Sequence, residues 1–155
     1  MSKCLVTGGA GFIGSHVVGK LLQGNNEVVV IDNESAESNE AFNWYDDHAD
    51  NHVVDIRDFD SCRPLFDGVE YVFHLAARSR IQLAMQNPIE CLETNYLGTY
   101  NMLECARQAG ARRFINSSTS SSYGLLNKPP LQEDMKTDCL NHYSASKVGA
   151  ESLCQ

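Results

Sequence analysis

Gly8-Gly9-Ala10-Gly11-Phe12-Ile13-Gly14 lies between a short apolar run, residues 4–7, and a stripe of apolar residues at helical spacing, residues 13–22. The run is typical of a buried strand and the stripe of a helix. Glycines at this junction allow a tight turn and the close approach of a pyrophosphate, which the free N–H groups of a helix N-terminus attract. The alternative is a glycine-rich turn that only lets the helix pack on the strand. We interpret the stretch as a dinucleotide-binding turn, with cofactor contacts at Gly8, Gly11, Phe12, Ile13 and Gly14.

Asp32 ends a second, β-branched run, residues 28–31, and stands 18 residues after Gly14. An acid at this place in a dinucleotide-binding unit accepts hydrogen bonds from the adenosine ribose hydroxyls. It also repels a 2′-phosphate, and no arginine stands beside it in the sequence. A role in capping nearby amides is the alternative. The position of Asp32 therefore favours NAD over NADP as the cofactor.

Strand-like and helix-like patterns alternate along the rest of the chain. Strands are predicted at residues 53–54, 69–75 and 113–116. Helices are predicted at 59–66, at 88–109 between Pro88 and Gly110, and from Asn141 onward, whereas 33–50 is interpreted as a polar loop. Alternation of this kind indicates βαβ units. The predicted fold class is α/β, one Rossmann-like domain with a doubly wound parallel sheet and helices on both faces.

The charge distribution restricts the class of partner. The chain has 155 residues and a net charge of −8. Of its 20 acids and 12 bases, ten acids and one base lie between Asp32 and Asp60. This acidic segment disfavours nucleic acid or an anionic membrane surface as a partner, and its simplest interpretation is a solvated loop. No run of about 20 apolar residues is present that would span a membrane.

The six cysteines indicate the redox compartment. They form no C-x-x-C pair and no Cys/His cluster with zinc spacing. A secreted disulfide scaffold would be shorter and richer in cysteine. We therefore predict reduced thiols, no bound metal and a cytoplasmic protein.

Further motifs follow the glycine turn in a fixed order, and together they cover nearly the whole chain. With them the sequence resembles the NAD-dependent epimerase/dehydratase family, the extended short-chain dehydrogenase/reductases. The motifs are Asp55-Ile56-Arg57, His74-Leu75-Ala76-Ala77, Asn95-Tyr96-Leu97-Gly98-Thr99, Ser117-Ser118-Thr119 before Tyr123-Gly124, and Tyr143-Ser144-Ala145-Ser146-Lys147. The resemblance implies an NAD site that includes Asp32, Asn33, Asp55, Ile56, Leu75, Ala76, Ala77, Asn95, Ser117, Tyr143 and Lys147.

The last two motifs carry the chemistry. Tyr143 and Lys147 are four residues apart on a predicted helix, so their side chains share one face. A phenol has a pKa near 10 and needs a nearby positive charge to serve as a base at neutral pH. The resemblance makes Tyr143 the base and Thr119 the hydroxyl that bridges it to the substrate, although Ser118 and Ser120 compete for that role. The alternative for Tyr143 and Lys147 is a packed aromatic residue and a surface lysine.

The two residues that follow the motif threonine, Thr119 in this chain, differ between the reactions of the family. Its 4,6-dehydratases resemble one another in an Asp-Glu pair directly after the motif threonine, and its decarboxylases and GDP-mannose dehydratases in a glutamate two places after it. Here these positions hold Ser120 and Ser121, which cannot act as carboxylic acids. The resemblance therefore implies a nucleotide-sugar 4-epimerase acting on a UDP-sugar, with substrate contacts at Ser79, Thr119, Ser120 and Tyr143.

Other functions remain open from the sequence. They are another NAD-dependent nucleotide-sugar oxidoreductase or dehydratase of the family, and a dinucleotide-binding module without catalysis. Family members carry further strands and a substrate-binding C-terminal portion after the helix that holds Tyr143. We therefore expect residues 1–155 to be an incomplete NAD-binding domain, inactive alone. We also expect a homodimer in the full-length protein, formed through the helices that begin near Pro88 and Asn141.

Overall fold

Five parallel strands form one sheet within residues 1–36 and 44–155, the part of the chain that the computed structural model describes. They are β1 (Lys3–Thr7), β2 (Glu27–Asp32), β3 (Asp50–Val53), β4 (Tyr71–His74) and β5 (Arg113–Asn116). The spatial order is β3-β2-β1-β4-β5, so the winding direction reverses between β1 and β4. This arrangement confirms the predicted doubly wound α/β fold. In such sheets ligands bind at the carboxyl ends of the strands that flank the reversal.

Helices connect the strands. They are α1 (Phe12–Gln23), α2 (Phe59–Cys62), α3 (Ile81–Gln86), α4 (Pro88–Leu92), α5 (Gly98–Ala109) and α6 (His142–Leu153). Two 3-10 turns, Arg63–Phe66 and Ser120–Tyr123, and a π-helical turn, Glu93–Leu97, complete the elements. None of the helices in the described residues is long and apolar enough to cross a membrane.

Two apolar layers cover the two faces of the sheet. One joins Leu5, Val29, Ile31 and Val72 to side chains of α2, the 3-10 turn after it and α5, namely Cys62, Phe66, Met102 and Cys105. The other joins Val6, Val28 and Val30 to Val18 of α1. Central parallel strands are covered on both faces, which explains why the middle residues of β1 and β2 are all apolar. The six cysteines are all free thiols, as predicted.

Several boundaries follow local signals in the sequence. Pro88 begins α4, and Gly110 follows α5 in the left-handed conformation, with φ of 72°. Asn141 caps α6, because its side chain accepts a hydrogen bond from the Ser144 N–H and the two residues form a capping box. Strand β5 has the predicted bounds.

Three predicted elements were wrong in extent. The third strand was expected at 53–54, but β3 is Asp50–Val53, an edge strand whose ladder residues are mostly polar and therefore show no apolar pattern. The fourth strand was expected at 69–75 and is shorter, Tyr71–His74. Helix α3 was not predicted, because it has only six residues and its N-cap residue, Arg80, is not one of the residue types that cap helices. The predicted loop 33–50 loses Asp50 to β3, and its residues 37–43 lie outside the described part of the chain.

The predicted helix 88–109 is interrupted by the π-helical turn Glu93–Leu97. Such turns are rare in proteins overall, but where they occur they are often part of a functional site. Asn95 lies inside this turn and is fully buried. The turn therefore places an amide side chain within the core, at a position where an ordinary helix was expected.

Candidate active site

A groove of about 310 Å³ opens at the carboxyl ends of β1, β2 and β4, where the winding direction reverses. The glycine turn, residues 8–14, forms the floor of the groove. Residues 31–36 at the end of β2 form one wall, the β2 bank, and residues 75–79 after β4 form the opposite wall, the β4 bank. Most of the predicted cofactor residues line it, namely Gly8, Gly11, Phe12, Ile13, Gly14, Asp32, Asn33, Ile56, Leu75, Ala76, Ala77 and Ser117. Ser79, which was predicted as a substrate contact, lines the groove as well.

The backbone around the glycine turn is packed so closely that Gly8 and Gly14 cannot carry side chains. Gly8 has a φ of 69°, and a Cβ there would lie 2.8 Å from the N atom of Ala76. A Cβ on Gly14 would overlap the carbonyl oxygen of Gly8. Gly11 precedes α1 and brings no capping side chain, so the first amides of this 12-residue helix remain available at the groove. This is the cradle that a pyrophosphate requires.

Asp32 is held in place by the turn that it faces. One carboxylate oxygen accepts the Ala10 N–H at 3.0 Å and the other accepts the Glu34 N–H at 2.8 Å. Burial raises the pKa of Asp32, while these amides favour its charged form. The amide-capping role that was the alternative is thus real, and it is compatible with ribose binding because each carboxylate oxygen can accept more than one hydrogen bond.

Replacing Asp32 should alter the choice of cofactor. Asp32→Ala removes both the acceptor for ribose hydroxyls and the charge that repels a 2′-phosphate, so NAD affinity should fall by about tenfold or more while NADP loses less. Asp32→Asn keeps an acceptor for Glu34 and serves as the matched variant. Fluorescence titration of each protein with NADH and NADPH measures the ratio. Equal affinity of the unmodified protein for the two cofactors would contradict the role of Asp32.

An aromatic pair provides a reporter for such titrations. Trp44 is the single tryptophan of the chain, and its backbone N–H donates to the carbonyl of Ala10 at 3.1 Å. Its ring centroid lies 5.7 Å from that of Phe12, which lines the groove. Tryptophan emission is therefore expected to respond to a ligand in the groove.

The groove lining lacks four of the predicted cofactor residues, namely Asp55, Asn95, Tyr143 and Lys147. Asp55 accepts hydrogen bonds from Asn33 at 2.9 Å and from the guanidinium of Arg57 at 2.7 Å, and the latter lowers the pKa of Asp55 to about 2. Asn95 is fully buried behind the groove wall. Its side chain accepts the Arg78 N–H at 2.8 Å and donates to the Arg78 carbonyl and to Ser146 Oγ. In this structure Asp55 and Asn95 hold groove residues in place.

His74 anchors the turn after β4 through a hydrogen-bond chain whose proton positions follow from its ends. Thr99 Oγ1 donates to the carbonyl of Asn95 at 2.7 Å, so it accepts from His74 Nε2 at 2.9 Å. His74 Nδ1 then accepts from Thr7 Oγ1 at 2.7 Å, and the Thr7 hydroxyl oxygen accepts the N–H groups of Leu75 and Ala76. This series of hydrogen bonds requires that the His74 imidazole is neutral and protonated on Nε2.

The buried imidazole makes stability depend on pH. Burial, together with the charge of Lys147, lowers the pKa of His74 to about 3 from 6.5. Between pH 6.5 and 3 the unfolded chain therefore binds a proton that the folded chain does not, so stability falls as the pH falls, by about 1.4 kcal/mol per pH unit. Urea unfolding at pH 7, 5.5 and 4.5 should show this slope, and His74→Gln should lack it. Retention of the full slope by His74→Gln, or its loss in the exposed variant His142→Gln, would contradict the assignment.

The predicted catalytic pair lies on α6, one turn apart. Tyr143 is half-buried, and Lys147 is buried, with 2% of its surface exposed. Burial lowers the pKa of Lys147 below the usual lysine range. Neither residue lines the groove described above. Helix α6 packs against α3, α4 and the 3-10 turn Ser120–Tyr123, so the helix lies beside the turn that follows Thr119. The burial of Lys147 argues against a surface lysine.

The hydroxyls of the serine motif differ in the hydrogen bonds that they already make. Thr119 Oγ1 accepts the Ser121 N–H at 3.1 Å, which leaves its own proton available to donate. Ser118 Oγ instead donates to Glu151 at 2.9 Å. Ser120 is exposed at the start of the 3-10 turn. Within the described residues, Ser118 donates its proton to Glu151, whereas Thr119 shows no acceptor for its own; Ser120 is not distinguished by its hydrogen bonds.

Some groove residues were missed from the sequence. They are Ile31, Ser35, Ala36, Val54, Arg78 and Thr94. Ser35 and Ala36 lie two and three residues after the predicted contact Asn33, and Arg78 directly follows the Ala76-Ala77 turn, so extending each motif would have included them. Thr94 precedes Asn95 in the π-helical turn, and no local sequence pattern predicts that turn. Among the described lining residues, Asp32 and Arg78 are the charged ones.

The family model of GDP-mannose 4,6-dehydratase matches residues 5–155. The chain belongs to the NAD-dependent epimerase/dehydratase family. UDP-glucose 4-epimerase of Streptomyces lividans is 37% identical over 154 residues, which are 97% of this chain and 46% of that protein. UDP-glucuronic acid decarboxylase 6 of Arabidopsis thaliana is 41% identical over 123 residues, which are 79% of this chain and 35% of that protein. Epimerases and decarboxylases of the family are therefore similar to the chain to a comparable degree.

A solved structure of the family matches the same part of the fold. The Thermus thermophilus UDP-glucose 4-epimerase in complex with NAD is 32% identical, with a TM-score of 0.85, and the match covers 97% of this chain and 49% of the epimerase. The chain thus spans about half the length of the epimerases that it matches. This family fold accounts for the position of the groove at the reversal of the sheet.

Proposed function

We propose that the chain is the NAD-binding part of a nucleotide-sugar 4-epimerase that acts on UDP-sugars. The observation that carries the proposal is the serine motif. Thr119 has a hydroxyl proton free to donate, and the two positions after it, Ser120 and Ser121, lack the carboxylic acids that water elimination or decarboxylation would use. Epimerisation at C4 needs only the hydroxyl, the base, the lysine and a retained cofactor.

The groove fits NAD by its shape and its donors. Gly8, Gly11 and Gly14 would admit the pyrophosphate at the first amides of α1, and Asp32 would accept the adenosine ribose hydroxyls. Bound NAD supplies a reversible hydride acceptor next to the sugar. Lys147, buried on α6, would hold the nicotinamide ribose side, which also places Tyr143 at that end.

The residues of the chain then move the proton. Tyr143 acts as a phenolate, which the positive charge of Lys147, one helical turn away, stabilises. This phenolate takes the proton of the sugar C4 hydroxyl and becomes a neutral phenol. Thr119 donates a hydrogen bond to the substrate oxygen and keeps it in line with Tyr143. The same groups return the proton after the keto sugar has turned over, so the reaction has no net redox change.

The test is redox-neutral interconversion. The protein that carries this chain, supplied with UDP-glucose, should form UDP-galactose without accumulating reduced cofactor in solution. Stoichiometric formation of NADH would indicate a reductase or dehydrogenase instead. Loss of water or of CO₂ from UDP-glucose or UDP-glucuronate would indicate a dehydratase or decarboxylase and would overturn the epimerase assignment. NAD binding with no conversion of any UDP-sugar would favour the non-catalytic module.

The same proposal includes a homodimer and a cytoplasmic location. An exposed apolar stripe with helical spacing runs along α4, the π-helical turn and α5, and comprises Ile89, Leu92, Tyr96, Leu97 and Tyr100. Gly149 of α6 lies against the ring of Tyr96, so both helices contribute to this side of the molecule. A second copy would cover the stripe. The six free thiols support a reducing compartment.

A further inference from the structure

Arg78 joins the two banks of the groove. Its Nη1 donates to the carbonyl of Ser35 at 3.2 Å, across the groove from the turn that carries Arg78. Its Nε and Nη2 donate to Glu90 Oε1 at 3.1 and 2.5 Å. Ser35 and Arg78 both line the groove, on the banks formed by β2 and β4 respectively. One guanidinium therefore links the end of β2, the turn after β4 and helix α4.

The base of this link is rigid. Asn95 accepts the Arg78 N–H at 2.8 Å and donates to the Arg78 carbonyl at 3.2 Å, so one amide fixes both sides of the residue. The carboxylate of Glu90 then fixes the direction of the side chain, because a guanidinium forms directional, paired hydrogen bonds with a carboxylate.

The far end of the link is also tied down. The N–H and hydroxyl of Ser35 donate to Asn33 Oδ1 at 3.2 and 2.6 Å, and Asn33 Nδ2 donates to Asp55. Segment 33–35 is thus attached to the same end of β2 as Asp32, the predicted ribose acceptor. The bridge spans the adenosine end of the groove.

We infer that Arg78, held by Glu90, is a positioning residue that closes the adenosine end of the groove over the bound dinucleotide and slows its release. This inference rests on the proposed NAD binding. Slow release of the dinucleotide suits a family reaction in which the cofactor stays bound through each catalytic cycle. If the Arg78 charge only attracted the pyrophosphate, Arg78→Lys would keep release slow and Glu90→Gln would not speed it. The two explanations can therefore be separated.

The test is the rate of NADH dissociation, followed by energy transfer from Trp44 after displacement with excess NAD. Arg78→Met should speed release by about tenfold, with a smaller change in the association rate. Arg78→Lys should behave like Arg78→Met, because an ammonium group keeps the charge but cannot contact Glu90 and Ser35 together. Glu90→Gln should also speed release, because it frees the guanidinium.

The matched controls are Arg112→Met and Glu70→Gln. Arg112 and Glu70 form a similar ion pair at 2.8 Å, but they flank the amino ends of β5 and β4, away from the groove. Both controls should release NADH at the unmodified rate. Unchanged release in Arg78→Met would overturn the inference, as would slower release in Glu90→Gln, which indicates charge attraction alone. If the unmodified protein binds no NADH, the proposed function fails instead, and the two failures are distinguishable.

Discussion

Tyr143→Phe is expected to lower kcat for UDP-sugar epimerisation by roughly 10³-fold. The substitution removes the phenol oxygen and keeps the ring, so the packing of α6 is preserved. The Tyr143 carbonyl, which accepts a hydrogen bond from Ser146 Oγ at 2.7 Å, is unaffected. NAD affinity should therefore remain close to that of the unmodified protein, because the substitution leaves unchanged the predicted cofactor contacts that line the groove, the glycine turn and Asp32.

Tyr71→Phe is the matched control for this experiment. Tyr71 begins β4 at the end of the sheet opposite to the groove, so its loss of a hydroxyl should not affect turnover. Turnover is measured with UDP-glucose in the protein that carries this chain, and NAD binding by Trp44 emission. Near-normal turnover of Tyr143→Phe would show that another group is the base.

Lys147→Met should have opposite effects on activity and on stability. The methionine keeps most of the volume of the side chain and removes a buried charge for which the described residues show no hydrogen-bond partner. Turnover should fall by roughly 10³-fold, since the phenolate of Tyr143 loses its nearby cation. The free energy of unfolding without cofactor should rise by about 1–2 kcal/mol, because a desolvated charge is costly in the folded state.

Urea unfolding and the epimerase assay measure the two effects in the same variant. Lys20→Met is the control, because Lys20 is an exposed lysine of α1 and its removal should change neither quantity. A marked loss of stability in Lys147→Met would mean that the lysine serves the fold, and the catalytic interpretation of its burial would then be wrong.

Local chemistry explains what the sequence could predict. Glycine residues 8, 11 and 14 lie between a strand and a helix and can be interpreted from their neighbours in the chain. Pro88, Gly110 and Asn141 mark helix ends for reasons that act within a few residues. For these reasons the groove floor, the parallel sheet and most of the residues that line the groove could be predicted from the sequence.

Tertiary contacts explain what the sequence could not predict. Arg78 reaches Ser35, 43 residues away, and no pattern within either segment indicates that contact. The edge strand β3 forms because its backbone pairs with β2, although its own residues are polar. The fully buried His74 looks like any histidine at a strand end until Thr7 and Thr99 are seen on its two nitrogens. Such features depend on partners distant in the sequence.

The most direct test of the NAD site is the melting temperature of the 155-residue chain with NAD, with NADP and without cofactor. At about 100 times the Kd, NAD should stabilise the folded state by about 2.7 kcal/mol, which raises the Tm by roughly 5–10 °C, whereas NADP should have little effect. A cooperative transition that NAD leaves unchanged would contradict the assignment of the groove formed by Gly8, Gly14 and Asp32.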